Sequence, residues 1–371
     1  MQLSIIAGAR PNFMKIAPMI RPLQNAGFAT KIIHSGQHYD QKMSQTFFDE
    51  LGIPHPDLNL GVGSGSHIWQ ISEVMRRLES EFTEHRPAAV VVVGDVNSTL
   101  AAALTATKLG IPVAHVEAGL RSFDRTMPEE INRIMTDAIS DWLFTSEPSA
   151  QINLEREGVP AERIHFVGNV MIDTLRANLP RAQAQHASRE FGCEDGKYVV
   201  LTLHRPSNVD DPDRLESILK AVHEVAQELP VLFPVHPRTK GQLQKFGFTD
   251  RADLNGYQTV PPLGYLPMLS LMEQARFVLT DSGGIQEETT ALGVPCLTLR
   301  ENTERPSTID CGSNQLVGWR TADILEAYRK VMSTTPRTGR IPEHWDGKTS
   351  ERIAAILHRD LAATAHDHVA S

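Results

Sequence analysis

Cysteine is scarce in this chain, with only Cys193, Cys296 and Cys311 and no CxxC spacing. An odd, widely spaced set offers neither a disulfide framework nor a thiolate zinc site, and no other metal-ligand or cofactor motif stands out. Long apolar runs are missing as well. The opening MQLSIIA meets Gly8 and Arg10 too early for a signal peptide, and no uninterrupted stretch approaches the ~20 residues of a membrane span. Cations are in the minority, 36 Lys and Arg against 45 Asp and Glu, for a net charge of −9. That balance argues against nucleic acid or an anionic membrane as the main partner, so basic residues must act locally on a small anion. Repeats, heptads and low-complexity segments are lacking too. What remains is 371 residues of ordinary globular composition, 41% hydrophobic and 22% charged, enough for two core-bearing domains of a cytoplasmic enzyme.

The most informative stretch is RFVLTDSGGIQEE, residues 276 to 288. Phe277 to Leu279 read as a buried strand that stops at Asp281-Ser282-Gly283-Gly284, where a helical period begins. Glycines without a Cβ let backbone N–H groups approach a ligand, and the helix N-terminus brings unpaired donors and a positive dipole end. A phosphate or pyrophosphate suits such a seat. Glu287 and Glu288, one turn in, supply acceptors for ribose hydroxyls, which points to a nucleotide. A strand, a turn and a helix capped by Asp281 or Ser282 would look alike. The next strand, Pro295 to Leu299, runs into RENTERP with Arg300 and Arg305, and this favours the ligand.

Elsewhere apolar strands alternate with helices and end repeatedly in polar residues. Gln2 to Ala7 lead to GARP and a helix bearing Lys15, and Lys31 to His34 lead to SGQHYD and a helical pattern over residues 41 to 51. Residues 54 to 67, rich in Pro, Gly and Ser, read as a mobile loop. Ala88 to Val93 and Pro112 to Val116 are successive strands followed by Asp95 and Glu117. Neighbouring parallel strands would bring both carboxylates to one sheet edge, where their pKa values can separate into base and acid. Residues 176 to 196 read as a connecting segment. A second series begins at Tyr198 to Leu203, which delivers His204 and Arg205, and continues through Val231 to Val235, which delivers His236 and Arg238. Later pieces are a helix near 268 to 275, a helix over 321 to 333, a last amphipathic helix SERIAAILHRDL and a frayed tail AATAHDHVAS. The expected architecture is α/β, with two Rossmann-like, doubly wound parallel-sheet domains facing a central cleft. The first covers 1–168 with the C-terminal helix 350–371, and the second covers 169–349.

GARPNFMKIAP, SGQH, GDVNST, HVEAGLRS with PEEINR, VGNVMIDTL, LTLHR, TDSGGIQEE and TERP, in that order, resemble the non-hydrolysing UDP-N-acetylglucosamine 2-epimerases, whose fold is of the GT-B type. The resemblance spans nearly the whole chain. It implies that Arg10, Lys15 and His204 contact the nucleotide diphosphate, that Ser282, Gly283 and Gly284 cradle it, that Glu288 binds ribose and that Arg305 lies near phosphate and sugar. It places Tyr265 to Met268 at the uracil pocket. Asp95, Glu117 and Glu129 resemble the family's catalytic carboxylates, with His204 able to assist the leaving phosphate.

The implied chemistry is elimination of UDP across C1 and C2 of UDP-GlcNAc, giving a 2-acetamidoglucal, followed by re-addition to give UDP-ManNAc for surface polysaccharide synthesis. A homodimer without metal or other cofactor is expected by the same resemblance. Three departures stand out: HRPSN for the usual HRREN, a loop from Arg121 to Glu129 that is shorter by about two residues, and RPNFMK and QHYD in place of the commoner forms. The last lies where many bacterial members bind an activating second substrate, and it argues against such activation here. Relatives acting on UDP-2,3-diacetamido-2,3-dideoxyglucuronate share the RPxFxK and QHxD style. That substrate would need a further cation from Arg121, Arg125 or Arg205. A GT-B glycosyltransferase would use the same seat but need an acceptor groove and leave the C2 proton untouched, and a nucleotide-sugar sensor would need no cluster of carboxylates.

Overall fold

The computed structural model describes residues 1–8, 10–36, 52, 54–333 and 339–367, with the side chains of 10–11 and 364–367 outside that set. The Arg10 side chain, QHYD and the 41–51 helical pattern therefore lie outside the described residues. The chain divides into two compact units, Met1–Thr174 with Glu343–Ser371, and Leu175–Pro342.

In the first unit, β1 (Gln2–Ala7) leads to α1 (Arg10–Asn25), β2 (Ala29–His34) and the two-residue edge strand β3 (Leu58–Asn59). Then come α2 (His67–Glu84), β4 (Ala89–Val93), α3 (Asn97–Lys108), β5 (Val113–Ala118), α4 (Pro128–Ile139), β6 (Trp142–Thr145), α5 (Pro148–Arg156), β7 (Ile164–Phe166) and α6 (Val170–Gln183), within which the chain passes to the second unit. The described strands make one parallel sheet in the order β3-β2-β1-β4-β5-β6-β7. The order reverses between β1 and β4, the switch point at which doubly wound sheets bind ligands. Strand β4 shows why the run is apolar throughout. Ala89, Val91 and Val93 face α1 and the last helix (Thr349–Asp367), while Val90 and Val92 face α2 and α3, so both sides are buried.

The last helix returns to this unit by identifiable contacts. Asp173 accepts from the Thr349 and Ser350 N–H groups at 3.1 and 2.7 Å, and the buried Trp345 donates from Nε1 to the Ser146 carbonyl at 2.9 Å. These contacts explain why the division falls at 342/343 rather than 349/350. The earlier crossing lies at 174/175, six residues beyond the expected one.

The second unit contains β8 (Val199–Thr202), α7 (Pro212–Ala226), β9 (Val231–Pro234), α8 (Pro237–Lys245), β10 (Gln258–Val260), α9 (Tyr265–Gln274), β11 (Phe277–Thr280), α10 (Gly283–Leu292), β12 (Cys296–Thr298), β13 (Asn314–Leu316) and α11 (Thr321–Ser333). Its parallel sheet has the order β10-β9-β8-β11-β12-β13, the same winding, with the switch between β8 and β11. Two doubly wound α/β domains are thus present.

Four expectations need correction. Residues 54–67 include β3 and bury Leu60 and Val62, so the segment is anchored rather than wholly loop. The stretch read as a connector from 176 is helical to Gln183, because α6 is held at its start by Asp173 and by Thr174 Oγ1 donating to the Met14 carbonyl. The last helix runs on to Asp367, through most of the tail read as frayed. Helix α9 begins at Tyr265, three residues early.

Candidate active site

In the first unit the carboxyl ends of β4 and β5 lie side by side, with Val93 paired to Val116. Strand β5 continues past the expected end. The ladder shifts register between Val116 and Ala118, and Glu117 sits in that bulge with φ 72°. A non-glycine residue there is strained by ~1–3 kcal/mol, a cost that persists only where surrounding structure enforces it. The bulge turns the buried Glu117 toward α1, where Lys15 Nζ lies 2.5 Å from its Oε2. Asn12, one turn earlier, donates to the Val93 carbonyl at 3.0 Å and fixes α1 over β4.

Asp95, one-third exposed, pairs with Arg133 Nη1. Arg133 is held in turn by Glu130, 2.6 Å from its Nη2, and Glu130 also accepts from the Ser122 and Phe123 N–H groups. Burial alone would raise the Glu130 pKa, but the Ser122 N–H and the Arg133 guanidinium hold it below the usual carboxylate range. Asn132 donates to the Asp95 carbonyl at 2.8 Å. Of the adjacent glutamates at the start of α4, Glu130 is buried in this network, whereas Glu129 is exposed. Asp95, Glu117 and Lys15 thus cluster at one sheet edge, and Glu129 is not drawn into their hydrogen bonding.

In the second unit Asp281 ends β11 fully buried and accepts from the His204 and Arg205 N–H groups at 3.0 and 2.9 Å. His204 Nδ1 lies 2.9 Å from Asp281 Oδ1, so this carboxylate joins the two loops at the switch point. It directs Nε2 of the half-exposed ring outward. Burial would raise the Asp281 pKa, but the His204 hydrogen bond and charge, with the two N–H groups, hold it low. His236 stands with its ring 5.8 Å from that of His204, and its pKa is lowered by burial and by the His204 charge.

Ser282 occupies the N-cap position of α10 but makes no side-chain capping bond, and Asp281 is committed to the β8 loop. Neither of the two candidate residues therefore caps the start of α10 with its side chain. A Cβ on Gly283 would stand 2.8 Å from Arg305 Nη1, while one on Gly284 would meet nothing within 4 Å. Open space thus faces Gly284.

Glu287 is drawn into an ion pair, with Arg305 Nε 2.7 Å from its Oε1. Glu304, unnoticed in the sequence, gathers three guanidiniums: Arg305 at 2.5 Å, Arg300 at 2.9 Å and Arg205 at 3.7 Å. Its pKa would rise by burial but is driven far below the usual range by Arg305, Arg300 and Arg205. Glu288 is buried with its pKa pushed up to about 7 by burial, opposed by the Tyr265 hydroxyl and reinforced by the Glu287 charge. Tyr265 and the half-buried Met268 form the first turn of α9. His204, Tyr265, Ser282, Gly283, Gly284, Glu288 and Arg305 therefore lie on the carboxyl-edge loops of β8 and β11 and the elements packed on them. Among the described residues no group of three or more His, Cys, Asp or Glu could hold a metal ion, and no helix is long and apolar enough to cross a membrane.

Comparison with known proteins supplies the remaining observations. A family profile described as UDP-N-acetylglucosamine 2-epimerase matches residues 21–358. The UDP-N-acetylglucosamine 2-epimerase of Methanocaldococcus jannaschii is 44% identical over 363 residues, covering 96% of this chain and 99% of that protein. A crystal structure of the Methanocaldococcus jannaschii UDP-GlcNAc 2-epimerase in complex with UDP-GlcNAc and UDP superposes with a TM-score of 0.87 at 43% identity, over 96% of this chain and 99% of that one. The UDP-2,3-diacetamido-2,3-dideoxy-D-glucuronate 2-epimerase of Pseudomonas aeruginosa is 41% identical over 362 residues, covering 96% and 99%.

Proposed function

The chain belongs to the UDP-N-acetylglucosamine 2-epimerase family, and from that membership we propose that it interconverts UDP-GlcNAc and UDP-ManNAc without hydrolysis. The observation that carries the reading is the diphosphate seat at the start of α10, uncapped, open at Gly284 and flanked by His204 and Arg305. The sugar's C2 proton is too weakly acidic for direct removal and return, whereas loss of UDP across C1 and C2 gives a neutral 2-acetamidoglucal. The leaving diphosphate gathers charge, which the α10 N–H groups, His204 Nε2 and Arg305 are suited to meet. Glu288 receives the ribose hydroxyls, and Tyr265 and Met268 line the base pocket. Asp95, Glu117 and Glu129 share removal and return of the C2 proton. UDP stays bound until it adds back to C1.

A second reading, a diacetamidoglucuronate 2-epimerase, is favoured by the 41% identity to the Pseudomonas aeruginosa enzyme. A uronate needs a further cation. Arg121 is committed to Asp137 and Glu157, and Arg205 to Glu304 and the Asp281 carbonyl, which leaves the exposed Arg125. UDP-GlcNAc is preferred because the matching family profile and the 44% identical Methanocaldococcus jannaschii relative are both described by that substrate. Steady-state kcat/KM for the two nucleotide sugars decides between them: a value at least tenfold higher for UDP-GlcNAc is expected, and the reverse order would reassign the substrate. The same proposal includes a cytoplasmic homodimer supplying a surface polysaccharide precursor.

A further inference from the structure

Asp137 lies wholly buried on α4, and its two oxygens serve two different turns. Oδ1 faces His115 Nδ1 at 2.6 Å, and the other ring nitrogen, Nε2, lies 2.9 Å from the Gly94 carbonyl oxygen. Oδ2 accepts from the Gly119 N–H at 3.1 Å and pairs with Arg121 Nη1 at 2.7 Å. Gly94 immediately precedes Asp95, and Gly119 follows Glu117 by two residues. One buried carboxylate thus ties the backbone beside both carboxylates of the proposed proton transfer.

The hydrogen-bond directions fix where the protons are. A carbonyl oxygen only accepts, so His115 Nε2 carries a hydrogen. Asp137 accepts from an amide and a guanidinium. Although burial alone would raise its pKa, the His115 and Arg121 charges hold it below the usual range, as a carboxylate. Arg121 continues to Glu157, 2.7 Å from its Nη2, so the buried guanidinium is matched by the carboxylates of Asp137 and Glu157. Matching of that kind is what a buried charge set requires.

We infer that Asp137 and His115 are positioning residues, which hold the Gly94 and Gly119 turns so that Asp95 and Glu117 keep the separation the C2 proton transfers need. The inference rests on the proposed reaction. It accounts for how the strained bulge at Glu117 persists, since the chain is pinned two residues later at Gly119, where φ is 79° and a Cβ would collide with the Ala150 carbonyl at 2.4 Å.

The test uses Asp137→Asn and His115→Gln in the full chain. A displacement on the order of 1 Å at a reacting group lowers turnover ~100-fold. The expected result is a fall in kcat of that order, with KM for UDP-GlcNAc and the Kd of UDP changed less than about twofold. Unaltered kcat in the folded variants overturns the inference, as does a parallel loss of UDP binding. Should neither variant fold, Asp137→Glu, which keeps the carboxylate but moves it by one methylene, decides: the same fall in kcat with unchanged UDP binding is expected, and unaltered kcat overturns the inference. An unsubstituted enzyme inactive on UDP-GlcNAc would sink the proposed function instead, which separates the two failures.

Discussion

Lys15 and Glu117 form an ion pair of 2.5 Å across the switch point of the first sheet, with both side chains largely shielded from water. Each reaches the other by a separate device, Lys15 from the second turn of α1 and Glu117 from a bulge that bends β5. Removing one partner of such a pair strands the other charge. Lys15→Met is expected to lower stability by about 3 kcal/mol, and the double variant Lys15→Met/Glu117→Gln should recover most of that loss. Urea unfolding of the three variants checks the cycle, and additive losses would contradict a coupled pair.

The left-handed backbone at Glu117 sets stability against chemistry. Glycine adopts that conformation without the Cβ penalty, so Glu117→Gly should be more stable than Glu117→Ala by about 1 kcal/mol. Both should lose turnover by roughly 100-fold or more while keeping UDP affinity. Thermal unfolding with calorimetric UDP binding separates the effects. Equal stability of the two variants would show that the bulge is unstrained.

Gly283 and Gly284 are expected to answer differently to the same substitution. Alanine at 284 meets no protein atom and gains up to about 1 kcal/mol of helix propensity, so the variant should fold as well as the parent or better. Its methyl group enters the space assigned to the diphosphate, and UDP affinity should fall at least about tenfold. Alanine at 283 must instead displace Arg305 and should cost stability. Undiminished UDP binding by Gly284→Ala would remove the phosphate seat from α10.

Burial raises the Glu288 pKa to about 7 from an ordinary 4.5. Between those values the folded chain keeps a proton that the unfolded chain has released, so this group's contribution is present below about pH 4.5 and is lost as pH rises through about 7. The full loss is on the order of 3 kcal/mol. Glu288→Gln should therefore be the more stable protein above pH 7, with little difference at pH 4.5, and should bind UDP less tightly. Denaturant unfolding at the two pH values measures this, and a constant difference would mean that the carboxyl group titrates normally.

The sheet was legible because parallel strands buried on both faces leave unbroken apolar runs such as Ala89–Val93. The edge strand Leu58–Asn59 was not legible, since two residues carry no period. Nor was the helicity of residues 176–183, which depends on contacts made by Asp173 and Thr174. At the site, the polar residues after each strand stood out, but their pairings did not. Glu287 and Glu304 look like free acids in a string of letters, and only folding brings Arg305 to Glu287 and Arg205 to Glu304. Glu129 and Glu130 differ by one position on a helix, about 100° of rotation, and sequence alone does not say which faces inward.

The most direct test is proton NMR of UDP-GlcNAc with the purified protein in D₂O, following the C2 proton and the anomeric signals of both epimers. The expected result is UDP-ManNAc carrying deuterium at C2, deuterium entering the remaining UDP-GlcNAc, and no stoichiometric build-up of free UDP. UDP-ManNAc that retains the original C2 proton, or free ManNAc with one equivalent of UDP, would contradict the elimination and re-addition account.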